Sequence, residues 1–155
     1  MVIPLVNMVA VAHLIILGLW GGIVTTEVVL ELYHRKHPEV HEHVIKLHFW
    51  IDLLVELPLI LAMAASGIFL ITLIETLTWL HIVKISLGSI AVISNLYCVY
   101  TVVKRARALD INSGDSILSR LSGVVFNCGA TGIPIGMIVF GMGIWLGYHR
   151  IVEYF

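Results

Sequence analysis

The sequence predicts an all-α fold, an integral membrane antiparallel four-helix bundle, and three observations support this class. Four apolar runs free of Asp, Glu, Lys and Arg each reach the roughly 18 residues that suggest a span of a ~30 Å hydrocarbon core. The mean hydropathy of the 155-residue chain is +1.01, and 12% of its residues are charged. Ionisable residues recur on one face of the helices that these runs would form. Residues 1–155 are therefore expected to form a single transmembrane domain, with short loops and no soluble domain.

The first span is expected over about residues 2–33. The run Val2–Thr26 is charge-free, and the segment from Glu27 to His34 keeps a helical pattern until Pro38 breaks it. The run has no basic start and is too long for a signal peptide, so we expect it to be retained.

The other spans are expected over about residues 48–74, 78–103 and 120–148. Pro58 is tolerable inside a membrane helix and is expected to kink the second span. Asp115 or Ser113 is expected to cap a short amphipathic helix that runs into the fourth span. Cys98 and Cys128, both at membrane depth, suggest packing more than a disulfide.

The basic residues predict the orientation of the chain. Two inter-span connections carry seven of them: Arg35, Lys36, Lys46, Lys104, Arg105, Arg107 and Arg120. The opposite side offers Arg150, with Lys84 just inside a span. Since positive loops normally face the cytoplasm, we expect loops 34–47 and 104–120 to be cytoplasmic and both termini to lie outside a cell's inner (plasma) membrane. The net charge of −1 argues against a nucleic-acid partner.

Each predicted helix carries one polar stripe. The stripes are His13, Trp20, Glu27, Glu31 and His34 in the first span; His48, Asp52 and Glu56 in the second; His81, Lys84, Gly88 and Asn95 in the third; Asn127, Thr131, Pro134, Trp145 and His149 in the fourth. Because a charged group at membrane depth costs roughly 2.5 kcal/mol or more, we expect these stripes to converge inside the bundle.

The outer part of these stripes, formed by His13, His81 and Lys84, suits a haem. His13 lies well inside an apolar run, which makes it the best candidate for an axial ligand of the iron. The alternative for His13 is a hydrogen bond across helices. His81 would be the second ligand or an interfacial residue. Lys84 would pair with a propionate, bind an anionic substrate or ligate iron, or else snorkel to the surface.

The inner part of the stripes suits a divalent metal ion or a proton path. Its members are Glu27, Glu31, His34, His48, Asp52 and Glu56. Carboxylates with imidazoles can hold Zn²⁺, Mn²⁺ or Fe²⁺, and Glu31 with His34 forms one Glu-x-x-His pair of the kind used in di-iron bundles. The alternative is that these residues reach interfacial water and pair with Arg35, Lys36 and Lys46.

Motifs in the first and third spans resemble those of the HemJ-type membrane protoporphyrinogen oxidases. The resemblance to that family's first span rests on four features: His13, Trp20 seven residues later, a Gly-Gly pair, and a Tyr-His pair that ends at His34. The segment from Trp79 to Lys84 resembles its Trp-Leu-His-x-Lys segment, with one extra residue before the lysine.

The fourth span extends the resemblance, because the segment from Asn127 to Thr131 is similar to the family's Asn-x-x-Pro-Thr motif. The resemblance implies a helical membrane fold, bound haem b and oxidation of protoporphyrinogen IX to protoporphyrin IX. It implies that His13 ligates the haem and that Lys84 is functionally important. Asn95 stands where the family tends to carry a histidine. CopD-like copper-resistance membrane proteins share a similar plan.

Three hypotheses follow. The first is a haem b-binding membrane oxidoreductase of HemJ type, with a quinone or porphyrin as its partner. Its cofactor contacts would be His13, His81, Trp20, Asn95 and Asn127. Its catalytic residues would be Lys84, Asp52 and Glu56. The second is a divalent metal (Zn, Fe or Cu) binding or transport protein built on the inner acids and histidines. The third is a small subunit of a respiratory membrane complex. All three place the chain in a lipid bilayer, as a homo-oligomer or as part of a larger complex.

Overall fold

The computed structural model describes the backbone of residues 2–73 and 76–152 and the side chains of residues 6–73 and 76–147. Within these ranges the chain forms five α-helices: α1 Val2–Lys36, α2 His41–Ile51, α3 Leu57–Thr72, α4 Trp79–Asp110 and α5 Asp115–Val152. A 3₁₀ turn, Pro38–Val40, precedes α2, and a π turn, Asp52–Glu56, joins α2 to α3. The all-α class is confirmed. The side chain of His149 lies outside the described residues.

Four helical segments of the described chain are long and apolar enough to cross a membrane: Val6–Lys36, Pro38–Thr72, Trp79–Asp110 and Asp115–Gly147. Large apolar side chains cover their outer faces, and Ile15, Leu54 and Ile93 are each more than half exposed. An apolar exterior of this extent is typical of a surface that faces lipid or another protein.

Cross-helix pairs show that successive spans run antiparallel. His13 of α1 contacts Ser66 of α3, whereas Glu31, much later in α1, contacts His48, earlier in the next span. We call the end of the bundle near residue 37 and residues 111–114 the connection end, and the opposite end the terminal end. At the connection end α2 packs on α4, while α3 and α4 touch only slightly and leave a gap toward the terminal end.

The predicted loops 34–47 and 104–120 differ from the structure, in which most of their residues are helical. α1 continues to Lys36, α4 continues to Asp110 and α5 begins at Asp115. The end of a charge-free run marks where polar surface begins, not where the backbone stops being helical. At about 1.5 Å per residue, the 32 residues of α4 reach well beyond a ~30 Å apolar layer.

The π turn lies directly before Pro58. The N–H of Leu57 bonds to the carbonyl oxygen of Asp52, five residues back, instead of four. Proline has no N–H, and its ring clashes with the carbonyl oxygen four residues earlier, so a widened turn relieves the helix at this point. The turn lies between Asp52 and Glu56, and both of these carboxyl groups are buried inside the bundle.

Glycines of α5 permit its close packing on α1. A Cβ atom added at Gly129 would lie 2.6 Å from a methyl group of Val28, and one added at Gly136 would lie 2.8 Å from the Trp20 ring. Gly129 and Gly136, which contact α1, are seven residues apart, or about two helical turns, so they form one strip along α5. This strip, and not the polar stripe of the same helix, faces the rest of the bundle.

Candidate metal centre and adjoining cavities

The six inner residues predicted to converge do so, near the connection end. Their side chains come from α1, α2 and the π turn, and each is at most 4% exposed: Glu27, Glu31, His34, His48, Asp52 and Glu56. The alternative of pairing with surface cations does not hold. Lys46 pairs with Glu42 outside the bundle, and the guanidinium group of Arg35 lies over the ring of Phe126.

The cation that meets this cluster is Arg105 of α4. Its side chain is fully buried; Nη1 donates to Glu31 Oε1 and also lies 3.2 Å from the Ser122 hydroxyl oxygen. The prediction that Arg105 lies in a loop is wrong, because the residue is part of α4 and is buried. Because α4 continues as helix past the apolar run, position 105 turns toward the bundle interior.

His48 lies between this ion pair and two further carboxylates. Its Nδ1 atom is 2.9 Å from Glu31 Oε1 and 3.0 Å from Arg105 Nη2. Nδ1 can donate to the carboxylate or accept from the guanidinium group, but it cannot do both at once. In the neutral ring, the bond that Nδ1 makes decides whether Nε2, on the other side of the ring, carries a hydrogen or a lone pair.

The Nε2 side of His48 faces Glu27 and Asp52. Nε2 lies 3.5 Å from Glu27 Oε2 and 3.3 Å from Asp52 Oδ1. One ligand atom from each of these three buried residues can be chosen so that all lie within 4.8 Å of one another, which is a spacing able to hold a metal ion. Two carboxylates and one imidazole form a ligand set that zinc, iron and manganese accept.

This centre has more acidic groups than the adjacent cations can neutralise. Within the described residues the cluster holds four carboxyl groups against the single guanidinium group of Arg105. Several buried oxygens lack a hydrogen-bond partner: Glu27 Oε1, Glu31 Oε2, Asp52 Oδ1 and Oδ2, and Glu56 Oε2. Unpaired buried charge is strongly unfavourable, so protons or a bound cation must compensate for the surplus.

Glu56 closes the cluster on its apolar side. Its Oε1 atom accepts hydrogen bonds from Trp20 Nε1 at 3.1 Å and from Asn95 Nδ2 at 2.8 Å. Trp20 and Asn95, both predicted as cofactor contacts, thus bind the same carboxyl oxygen. Beyond them lies an apolar layer that includes Leu17 and Ile60.

A polar cavity of about 670 Å³ opens at the connection end, against the other side of the cluster. Its walls include His34 and Arg35 of α1, His41 of α2, and Asp115, Ser119 and Ser122 of α5. His34 is itself a member of the buried cluster and contacts Glu31, and Ser122 contacts Arg105.

A second, mostly apolar cavity of about 390 Å³ fills the gap between α3 and α4 toward the terminal end. The three residues of the predicted outer site all line it: His13, His81 and Lys84. His13 is 8% exposed, and its Nδ1 atom lies 2.8 Å from Ser66 Oγ. The hydroxyl group donates to the Ala62 carbonyl, so it accepts from Nδ1–H, which leaves the lone pair of His13 on Nε2.

The other two outer residues have different surroundings. His81 Nδ1 contacts the Thr78 hydroxyl group and backbone N–H, which forms a capping box at the start of α4. Lys84 is half-buried, and its Nζ atom lies against Gly143, where an added Cβ would be 3.1 Å away. The cavity therefore combines an apolar wall with two imidazoles and one amine.

The fourth polar stripe does not join either site. Asn127, Thr131, Pro134 and Trp145 are exposed on the outside of the bundle, so the prediction that this stripe converges with the others inside the bundle is wrong. The Thr131 hydroxyl group donates to the Asn127 carbonyl oxygen of the same helix, so it needs no partner in the bundle. Because the glycine strip of α5 packs against α1, these polar residues lie on a face of α5 that points away from α1.

Comparisons of the chain with protein families, with curated proteins and with solved structures gave no match.

Proposed function

We propose that this chain is a membrane protein that binds a divalent metal ion inside its helix bundle, for metal transport or for chemistry at the bound ion. Glu27, His48 and Asp52 are the proposed ligands. The observation that carries the proposal is the Asp52 carboxylate: both of its oxygens are buried without a hydrogen-bond partner, and Oδ1 lies 3.3 Å from His48 Nε2.

The surroundings of His48 support this assignment. When Nδ1–H donates to Glu31, the Nε2 lone pair is directed toward Glu27 and Asp52, as a metal ligand requires. Carboxylates that accept the second N–H of a ligating histidine orient the ring and raise its basicity. Arg105 in turn fixes Glu31. Without a metal ion, Nε2 can instead carry a hydrogen that points at Asp52.

Charge is the second support. A divalent cation would offset much of the surplus of four carboxylates over one guanidinium group, in a region where unpaired charge is costly. Ionisable residues inside membrane helices usually mark ion pathways or proton relays. The oxygen-rich ligand set favours Zn²⁺, Mn²⁺ or Fe²⁺ over metals that select thiolates.

The test is metal binding by the full chain purified in detergent. Metal-free protein is titrated with Zn²⁺ and with Mn²⁺, and bound metal is counted by elemental analysis after removal of free ions. We expect about one ion per chain, and loss of binding in Asp52→Asn and in Glu27→Gln. Glu39→Gln and Glu42→Gln, which change exposed acids of the same connection, are matched controls. A metal stoichiometry equal to that of the wild type in both Asp52→Asn and Glu27→Gln would contradict the proposal.

We propose haem b binding in the apolar cavity as a second candidate, in line with the HemJ resemblance. The specific support is His13, whose Nδ1 is held by Ser66 so that Nε2 keeps the lone pair an iron ligand needs. Lys84 would pair with a propionate group, and a quinone or porphyrin would be the redox partner. Purified protein is expected to show a Soret band that His13→Ala abolishes and His81→Ala retains. Protein without that band after haem reconstitution would exclude this candidate.

A further inference from the structure

The polar cavity at the connection end contains a buried pair of ligand-type atoms that the metal centre does not use. Glu31 Oε2 and His34 Nδ1 both lack a hydrogen-bond partner and lie 3.4 Å apart. His34 is 4% exposed, yet it forms part of the cavity wall. The ring centroid of His41 lies 4.7 Å from that of His34, on the same wall.

Glu31 connects this pair to the proposed metal centre. Its Oε1 atom contacts His48 and Arg105 inside the bundle, whereas its Oε2 atom faces His34 and the cavity. A cation arriving from the cavity would thus meet His41, then His34 with Glu31, and would reach His48 past the Arg105 guanidinium group, which contacts both Glu31 and His48. On the far side of the centre, Trp20 and the apolar residues around it close the bundle.

From this geometry we infer that Glu31, His34 and His41 form a transfer site through which a divalent cation passes between the polar cavity and the Glu27–His48–Asp52 centre. The inference rests on the proposed function, because it assumes that the centre binds a metal ion. Imidazole and carboxylate groups are ligands that such cations accept. Asp115 of α5 offers negative charge at the cavity wall, which also carries the guanidinium group of Arg35.

The experiment measures the rates of Co²⁺ binding and release by the full chain in detergent, with stopped-flow absorbance of the bound ion. In His34→Gln and in His41→Gln we expect the association and dissociation rates to fall together by about tenfold. The equilibrium Kd and the stoichiometry stay unchanged, since a residue on the path lowers a barrier without changing the end states. His43→Gln, at an exposed position of the same helix as His41, is the matched control.

A second pair of variants tests the cavity without touching any ligand-type residue. Ser119 lines the cavity and Ser116 does not. Both serines are exposed. Ser119→Lys places a positive charge at the cavity and is expected to slow Co²⁺ association in a salt-dependent way, whereas Ser116→Lys is not.

The outcomes separate the two proposals. Wild-type association rates in His34→Gln, His41→Gln and Ser119→Lys would overturn the transfer site while the metal centre stands. A weaker Kd with faster release in His34→Gln would make His34 a ligand of the centre itself and would also overturn it. Wild-type protein that binds no Co²⁺, Zn²⁺ or Mn²⁺ would remove the proposed function, and the transfer site with it.

Discussion

Arg105 and Glu31 form a buried ion pair between α4 and α1, although 74 residues separate them in the chain. The pair is the point where four helices meet, because Glu31 also contacts His48 of α2 and Arg105 contacts Ser122 of α5. A guanidinium group removed from water needs every available partner, and here it finds a carboxylate, an imidazole and the Ser122 hydroxyl group.

Replacing Arg105 is expected to destabilise the fold strongly. Arg105→Gln removes the cation that pairs with the buried Glu31 carboxylate, and breaking a buried ion pair in this way costs roughly 3–5 kcal/mol. The free energy of unfolding, measured by denaturant titration of the detergent-solubilised chain, checks this. Arg107→Gln, two residues on at an exposed position, is the control and should stay within about 0.5 kcal/mol of wild type. Equal effects of the two substitutions would contradict the burial argument.

Glu31→Gln is expected to weaken metal binding without abolishing it. The amide is a poorer acceptor for His48 Nδ1–H than the carboxylate, so the imidazole becomes a less basic and less oriented ligand. Loss of such a partner lowers metal affinity by roughly 10–100-fold. Calorimetric titration with Zn²⁺ measures the Kd, and Glu42→Gln, whose carboxylate lies outside the bundle, should leave it unchanged.

Bound metal is expected to stabilise the fold by mass action. At a free Zn²⁺ concentration of about 100 times Kd, the gain is roughly 2.7 kcal/mol. Thermal unfolding with and without Zn²⁺ measures it in the wild type and in Asp52→Asn, in which the gain should vanish. Metal-free Asp52→Asn should also be more stable than the metal-free wild type, because one unpartnered buried carboxylate is gone. A Zn²⁺-induced shift of the wild-type size in Asp52→Asn would argue that the metal binds elsewhere.

The glycine strip of α5 gives a prediction that is independent of any metal. Gly136→Ala places a methyl group 2.8 Å from the Trp20 ring, and over-packing of this kind costs about 1–3 kcal/mol. Gly132→Ala, one turn earlier, meets no atom within 4 Å and should be neutral or slightly stabilising. Unfolding free energies of the two variants in detergent provide the comparison, and a reversed order would refute the packing described for α1 and α5.

Much of the architecture could be predicted from the chain alone. Runs such as Ile85–Val103 predict membrane-spanning segments by length and composition, and a helix is the way a single apolar segment satisfies its own backbone. The period of a helix also places Glu27, Glu31 and His34 on one face. The expectation that such faces turn inward follows from the cost of ionisable groups in apolar surroundings.

What the sequence by itself determined is therefore the identity of the helices and the angular position of each residue about its own helix axis. Only the tertiary structure decided which faces meet. Arg105 is buried because α4 stays helical past its apolar run, and Asn127 is exposed because glycines, not polar groups, set the contact face of α5. The physical reason is that periodicity is a local property of one helix, whereas a contact depends on close packing between two of them.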